Sequence, residues 1–420
     1  MNNNRYILSN IPGFIDIIKS DDTNNINILK LNKIECRTSN SIYKVIRYDK
    51  NFLSCDLISS YGLCRSVIVN SQNKVVSFAP PKSILSEEFI KKYPKNIDYD
   101  NHIVAEEFVE GTMINVFWDE SIGSWEISTR NTVGATSSFF KGEHNKTFRT
   151  MFLEAMAENN LILDNLEKEA SYSFVLQHPE NRIVVPFKKP QLYLVAVYSI
   201  HQIHNDIENN NISVSFYDSQ EYKRYFKIIN TTVKFPEVYE FNTYSELIEK
   251  YASMNTSYNI LGFTLHNKVT GERTKIRNPV YEQVRQLRGN QPKLQYQYLS
   301  LRKEGKVGEF LKFYPENKKD FSSFRDQVHL FTNTLFSNYI SCYIKKEGPL
   351  KEFTEQYKTH MFNIHQKYLN ELKDKKQFVT NTIVNNYVNQ LHPSLLMYCL
   401  NFQMRKRKVD IIVADTDIAI

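Results

Sequence analysis

Short β-branched runs separated by polar turns dominate the middle of the chain. Residues 66–69 and 75–78 flank the polar turn 70–73, and this pattern predicts a β-hairpin. Residues 113–118 and 125–129 lie on either side of a turn-rich stretch and predict a second antiparallel pair. Three further runs predict strands, at residues 172–176, 192–198 and 259–265.

The hydrophobic period changes beyond about residue 300. Phe324, Val328, Phe331 and Leu335 recur at spacings of three and four, which predicts a helix that ends before Gly348. Two more helices are predicted at residues 353–372 and 378–391, and one within the β-rich part at 148–159.

This change of period predicts an α+β chain with an all-helical C-terminal domain. We expect antiparallel sheets flanked by helices over residues 61–298 and helices over 299–404. An N-terminal segment, 1–60, is expected to pack on the sheet domain, and a basic tail occupies 405–420. The tail contains the run Arg405-Lys406-Arg407-Lys408, a pattern found in nuclear-import and RNA-contact segments and also in solvated termini.

The composition excludes some classes of protein. The 26 Tyr and 27 Phe, against 12 Gly, argue against a disordered chain. No apolar run approaches the roughly 18 residues of a membrane span, and the N-terminus lacks the layout of a secretory signal. The five cysteines are odd in number and scattered, which predicts reduced thiols in the cytoplasm and neither a disulfide framework nor a zinc site.

The charge balance is mildly basic. Lys and Arg exceed Asp and Glu by 7, a surplus that is compatible with a nucleic-acid partner without establishing one. The abundance of Asn and Ile, as in residues 24–28, indicates an AT-rich genome such as that of a large DNA virus. For a viral protein, the host cytoplasm or a viral factory is the expected location.

Several short segments resemble, in order, the motifs of RNA ligases of the covalent nucleotidyltransferase superfamily, especially the bacteriophage tRNA-repair type. The segments are residues 64–69, 78–83, 110–111, 128–131, 179–185, 262–264 and 274–277. The resemblance covers roughly residues 60 to 290 and implies that family's fold, in which a ligase-like domain of antiparallel sheets precedes a helical domain. It also implies a Lys nucleophile that attacks the α-phosphate of ATP and forms a covalent Lys-AMP.

Three positions depart from that family's pattern. Phe108 occupies the position of the nucleophilic lysine, three residues before Gly111. Val175 aligns with a glutamate that contacts the ribose, and Leu261 with an acid on the metal side. Loss of the nucleophile and of the metal-side carboxylate would remove the covalent and electrostatic contributions to phosphoryl transfer.

The candidate binding residues are the basic side chains of these motifs and three neighbours. Lys275 and Arg277 alternate along one strand and are expected on the same face. Phe108 either stacks on a base or fills a collapsed pocket, and each basic residue taken alone has the alternative of being a solvated surface charge. The full predicted set is Arg65, Lys82, Phe108, Glu110, Arg130, His178, Arg182, Lys275 and Arg277.

We therefore interpret the chain as a catalytically degenerate RNA-ligase-like protein, with no catalytic residue and no metal ligand assigned. It is expected to bind a nucleotide, an RNA end or an mRNA cap through a basic cleft, with RNA as the partner and the helical domain available to a protein. One alternative is an active RNA ligase with its lysine elsewhere, which would use ATP or GTP and Mg²⁺. A second is a structural or assembly protein that retains only the fold.

Overall fold

A computed structural model describes residues 5–20, 27–28, 30–95, 102–139, 146–203, 211–217 and 219–405. The contacts divide the chain into two units, Met1–Arg285 and Gln286–Ile420, where the sequence pattern had placed the boundary near residue 298. The predicted basic tail lies outside the described residues from Lys406 onward.

The first unit contains every strand that the structure describes. In chain order these are β1 (Arg5–Ile7), β2 (Asn27–Ile28), β3 (Leu31–Arg37), β4 (Ile42–Tyr48), β5 (Val67–Val69), β6 (Val75–Phe78), β7 (Ile103–Glu107), β8 (Thr112–Asp119), β9 (Ser124–Ser128), β10 (Ala170–Gln177), β11 (Gln191–Ile203), β12 (Asn211–Phe216), β13 (Val238–Tyr239), β14 (Gly262–Asn267) and β15 (Arg273–Arg277).

These strands form three antiparallel sheets. The first has the order β1-β12-β11-β10-β8-β9, the second β13-β7-β14-β15 and the third β2-β3-β4-β5-β6. The two hairpins predicted from the sequence are confirmed as the pairs β5–β6 and β8–β9. The strand expected to begin near residue 259 begins at Gly262 instead, because the Asn278 side-chain amide donates to the carbonyls of Ser257 and Ile260 and holds a turn there.

The N-terminal residues belong to these sheets. Strand β4 pairs with β5, with Val45 opposite Ile68, and β1 pairs with β12. The segment 1–60 therefore contributes strands to the same unit as the ligase-like motifs.

Six helices begin within the described part of the first unit. They are α1 (Phe14–Lys19), α2 (Ser86–Lys92), α3 (Phe148–Glu158), α4 (Ser219–Ile228), α5 (Tyr244–Tyr251) and α6 (Pro279–Arg288), the last of which contains the division between the units. The predicted helix at 148–159 is confirmed as α3, which Thr147 caps by accepting the backbone N–H of Thr150. Its Phe152 packs edge-on against Phe174 of β10, within an apolar core on one face of the first sheet.

The described part of the second unit is all-helical, as the change of period predicts. Its helices are α7 (Leu294–Glu304), α8 (Val307–Phe313), α9 (Lys318–Tyr339), α10 (Glu355–Lys367), α11 (Asn381–Gln390) and α12 (Pro393–Leu400). The three helices predicted here correspond to α9, α10 and α11, whereas α7, α8 and α12 were not predicted. Among the described residues, no helix has both the length and the apolar character needed to cross a membrane.

Candidate functional site

A cleft of about 660 Å³ opens in the first unit where the motif segments converge. Its walls come from the residues after β7, the turn after β9, strand β10, strand β15 and the start of α6. The polar and charged residues that line it are Arg65, Glu110, Thr112, Thr129, Arg130, Asn131, Thr132, Ser137, Arg273, Lys275, Arg277, Tyr281, Glu282 and Arg285.

Strand β15 supplies three cations to this cleft. Alternation along a strand places every second side chain on one face, so Arg273, Lys275 and Arg277 point the same way. The intervening Thr274 is fully buried on the opposite face, where its hydroxyl donates to the carbonyl of Ile84. Sequence reasoning identified Lys275 and Arg277 and missed Arg273, although the same alternation includes it.

Phe108 lies directly beneath two of these cations. Its backbone N–H donates to the carbonyl of Gly262 at 3.2 Å, which fixes the end of β7 against β14. The Lys275 Nζ is 5.0 Å and the Arg277 Cζ is 5.9 Å from the centre of the phenyl ring, distances at which cation–π attraction operates. The ring is half-buried and lines an open cleft, so it does not fill a collapsed pocket.

Arg65 and Arg130 form the opposite part of the positive wall. Burial, and then the charges of Arg273 and Arg130, lower the pKa of Arg65 to about 10. Arg130 donates to the Tyr48 hydroxyl at 3.2 Å, with its guanidinium 5.4 Å from the centre of that ring. The Nε atoms of Arg130 and Arg273 are buried and make no hydrogen bond. We call Arg65, Arg130, Arg273, Lys275 and Arg277 the cation cluster.

Lys275 is the most strongly perturbed member of the cation cluster. Burial lowers its pKa to about 6, and the neighbouring charges of Arg273, Arg65 and Arg277 act in the same direction. In the described part of the chain, Arg277 is the one member that forms an ion pair with an acidic side chain, at 3.4 Å from Glu282. The guanidinium groups of Arg65, Arg130 and Arg273 therefore have no acidic side chain within ion-pair distance among the residues that the structure describes.

Both carboxylates that line the cleft already have hydrogen-bond or ion-pair partners in the protein. Glu110 is buried and accepts the backbone N–H groups of Val184 at 2.7 Å and Val185 at 3.1 Å. Burial raises its pKa to about 7, against the lowering effect of those two hydrogen bonds. Glu282 pairs with Arg277 and, at 3.1 Å, with Arg285.

A divalent metal does not fit this arrangement. Mg²⁺ and Mn²⁺ at phosphate sites are held by carboxylate oxygens. Among the residues that the structure describes, no group of three or more His, Cys, Asp or Glu side chains could hold a metal ion. Leu261 and Val175 line the cleft where the resemblance had led us to look for acids.

Three of the predicted site residues do not line the cleft. The His178 side chain is buried away from it, 2.9 Å from Glu154, and accepts the backbone N–H of Glu180. Arg182 donates from its Nε to the carbonyl of Val184. Lys82 lines a neighbouring pocket, although its pKa is lowered by burial and then by the charge of Arg65. Sequence proximity to a motif placed these residues near the site without fixing their orientation.

Two motif glycines allow the backbone segments around the cleft to approach closely. At Gly111, with φ +149°, a Cβ atom would lie 2.5 Å from the Leu176 carbonyl oxygen. At Gly262, with φ +129°, a Cβ atom would lie 2.1 Å from the Ile276 carbonyl oxygen. No side chain can be accommodated at either position without movement of a strand.

A curated RNA ligase and solved RNA ligase structures are similar to this chain. No family model matches the chain. The chain is 24% identical over 294 residues to an RNA ligase of Rhodothermus phage RM378, a match that covers 62% of this chain and 64% of the relative. This similarity supports the resemblance to the RNA ligase-like nucleotidyltransferase superfamily. It spans less than two thirds of the length of the curated relative that it matches.

Solved structures of a Naegleria gruberi RNA ligase are also similar to this RNA ligase-like chain. A variant with ATP and Mn matches at 13% identity and a TM-score of 0.34, over 49% of this chain and 57% of the other. A variant with AMP and Mn matches over the same shares at 13% identity, with a TM-score of 0.35.

Proposed function

We propose that this RNA ligase-like protein binds the 5′-phosphorylated end of an RNA in the cleft and does not transfer a nucleotide to itself. The observation that carries the proposal is the cation cluster above Phe108, in the cleft where the family's motifs meet. Arginine and lysine side chains are the groups that bind phosphate oxygens, and the relative in a Rhodothermus phage is named an RNA ligase.

The absence of covalent transfer follows from the chemistry of position 108. A phenyl ring has no nucleophilic atom, and the side chains of Val175 and Leu261 cannot ligate a metal or accept a hydrogen bond from a ribose. The remaining carboxylates, Glu110 and Glu282, are already paired.

The electrostatics favour a phosphorylated RNA end over the other two predicted ligands. The positive charge of a methylated cap guanine offsets part of the negative charge of its triphosphate bridge, whereas a 5′-phosphate carries only negative charge. A free nucleotide would engage the cluster but would make no use of the basic and aromatic groups along the rest of the cleft, such as Arg285 and Phe148.

Replacement of Lys275 and Arg277 together by Ala tests the proposal. The affinity for a 5′-phosphorylated oligoribonucleotide should fall, and the dependence of log K on log[salt] should become shallower by roughly one unit per phosphate contact removed. A matched control replaces Lys227 and Lys250 by Ala, because both are exposed lysines of the first unit that do not line the cleft. An unchanged affinity in a folded cleft variant would move the RNA site away from the cluster.

One observation favours an active ligase as a second candidate. Lys275 is the one lysine among the described residues that line the cleft, and its pKa of about 6 leaves the amine neutral and nucleophilic at pH 7. In that case, incubation with ATP would leave AMP attached to Lys275. The third alternative, a purely structural protein, would show no salt-dependent binding of RNA at all.

Other parts of the interpretation remain predictions. A protein partner for the helical unit, a cytoplasmic location and a viral source rest on the sequence patterns. The five cysteines are free in the structure.

A further inference from the structure

We propose that the cleft binds phosphate groups without a divalent cation, because the cation cluster takes the place of the metal. This inference rests on the proposed function and adds that the phosphate binds as the free anion, without a metal ion. It departs from the metal dependence that the family resemblance implies.

The first reason is the lack of free ligands for a metal. A divalent ion bridging phosphate and protein needs carboxylate oxygens, and it binds best where negative charge is in excess. Glu110 turns its carboxylate toward the backbone of Val184 and Val185, and Glu282 lies between Arg277 and Arg285. A metal entering this cleft would add charge to a cluster that is already positive.

The second reason is that hydrogen-bond donors are already in place. The buried Nε atoms of Arg130 and Arg273 have no partner, and an unpaired buried donor is costly unless a ligand satisfies it. A phosphate has several acceptor oxygens and a negative charge, so it would satisfy these donors and neutralise the cluster at once. A phosphate chelated by Mg²⁺ offers fewer free oxygens and less charge.

The third reason concerns the proton on Lys275. Four cationic neighbours lower the pKa of Lys275: Arg273 and Arg277 on β15, Arg65 and Lys82; its Nζ also lies 5.0 Å from the centre of the Phe108 ring. The acids that face the same region are Glu106, which the register places on the same sheet face two strands away, and Glu110 and Glu282 of the cleft lining. His266 on the neighbouring strand β14 has its pKa lowered to about 3 by burial and by Arg273 and Lys275, so it stays neutral. Because the pKa of Lys275 is about 6 in the empty cleft, an anion bound beside it would raise that pKa and draw in a proton.

Titration calorimetry of the full-length protein with inorganic tripolyphosphate tests the inference directly. At pH 7 the affinity should be as high in EDTA as in Mg²⁺, or higher. Repeating the titration in buffers of different ionisation enthalpy should show uptake approaching one proton per site, since a group with a pKa near 6 is mostly unprotonated at pH 7.

Two variants of Lys275 separate the effect of its proton uptake from the effect of its positive charge on phosphate binding. Lys275→Arg keeps a permanent positive charge, so binding should persist while the proton uptake disappears. Lys275→Ala should weaken binding in both EDTA and Mg²⁺. Proton uptake that persists in the folded Lys275→Arg protein would assign the titration to another group and overturn this assignment.

The inference and the proposed function fail in different ways. Binding of tripolyphosphate or of 5′-phosphorylated RNA that requires Mg²⁺ would overturn metal independence and leave RNA binding intact. Absence of binding in both EDTA and Mg²⁺ would overturn the proposed function and the inference together.

Discussion

Position 108 changes the chemistry of the cleft more than any other residue. A lysine there would add a further positive charge to the cation cluster, in a cleft whose two acids are already engaged. Phenylalanine removes that charge and offers a ring face to Lys275 and Arg277. The ring face can therefore attract Arg277 and the protonated form of Lys275, where a lysine would repel them.

Phe108→Ala tests this role. If the ring stacks on a bound base, its loss should weaken RNA binding by about 1–3 kcal/mol. The free energy of unfolding should fall by less than the roughly 3–5 kcal/mol of a core Phe→Ala change, because the ring is only half-buried. Phe89→Ala is the matched control, since Phe89 is fully buried and should show the larger loss. Equal losses of stability in the two variants, with binding unchanged, would mean that Phe108 is a core residue.

The raised pKa of Glu110 should make the free energy of unfolding depend on pH. Its pKa rises from an ordinary value of 4.5 to about 7 on folding, so the folded protein holds this proton more tightly than the unfolded chain does. Its contribution to stability is therefore present below pH 4.5 and is lost as the pH rises to 7. Glu110→Gln removes the titration and keeps an acceptor for the Val184 N–H. Between pH 4.5 and 8 the variant should gain about 1–3 kcal/mol relative to the wild type in denaturant unfolding. A constant difference over that range would show that Glu110 titrates normally.

At the scale of elements, β15 depends on the close packing of β14 against it. The Gly262→Ala change would place a methyl group against the Ile276 carbonyl and should shift the strand that carries Lys275 and Arg277. We expect both the free energy of unfolding and the RNA affinity to fall. Gly123→Ala is the control, because Gly123 also has a positive φ, +61°, but nothing lies within 4 Å of its Cβ position. Equal effects of the two changes on unfolding and binding would attribute the loss to backbone strain alone.

The elements could be predicted from the sequence wherever a period persists over several residues. The hairpins β5–β6 and β8–β9, helix α3 and the helices α9 to α11 follow from such periods. The pairing of β1 with β12 could not be predicted, because it joins residues about two hundred positions apart and no local pattern encodes the partner.

The same distinction holds for the candidate site. Alternation along β15 predicted the shared face of Lys275 and Arg277, because it is a local property of a strand. Tertiary packing decides that His178 points toward Glu154. It also decides that Glu282 and Arg285 of α6 line the cleft. Short motifs identify which segments meet at a site, whereas side-chain direction is decided by neighbours that are distant in sequence.

At the scale of the whole molecule, the net charge of +7 says less about the ligand than its distribution does. Six basic side chains of the first unit line one cleft, and in the described chain two of them, Arg277 and Arg285, pair with an acid, in both cases Glu282. Focused charge of this kind attracts a polyanion more strongly than the same charge spread over a surface.

The central claim is that an RNA ligase-like protein binds phosphate without forming a covalent nucleotide adduct. Intact-mass measurement under denaturing conditions, after incubation with ATP or GTP and either Mg²⁺ or Mn²⁺, tests it most directly. We predict the mass of the unmodified chain in every case, because Phe108 has no nucleophile and the acids of the cleft are engaged. A mass increase equal to AMP or GMP would contradict the account, and its location on Lys275 would identify this protein as an active ligase.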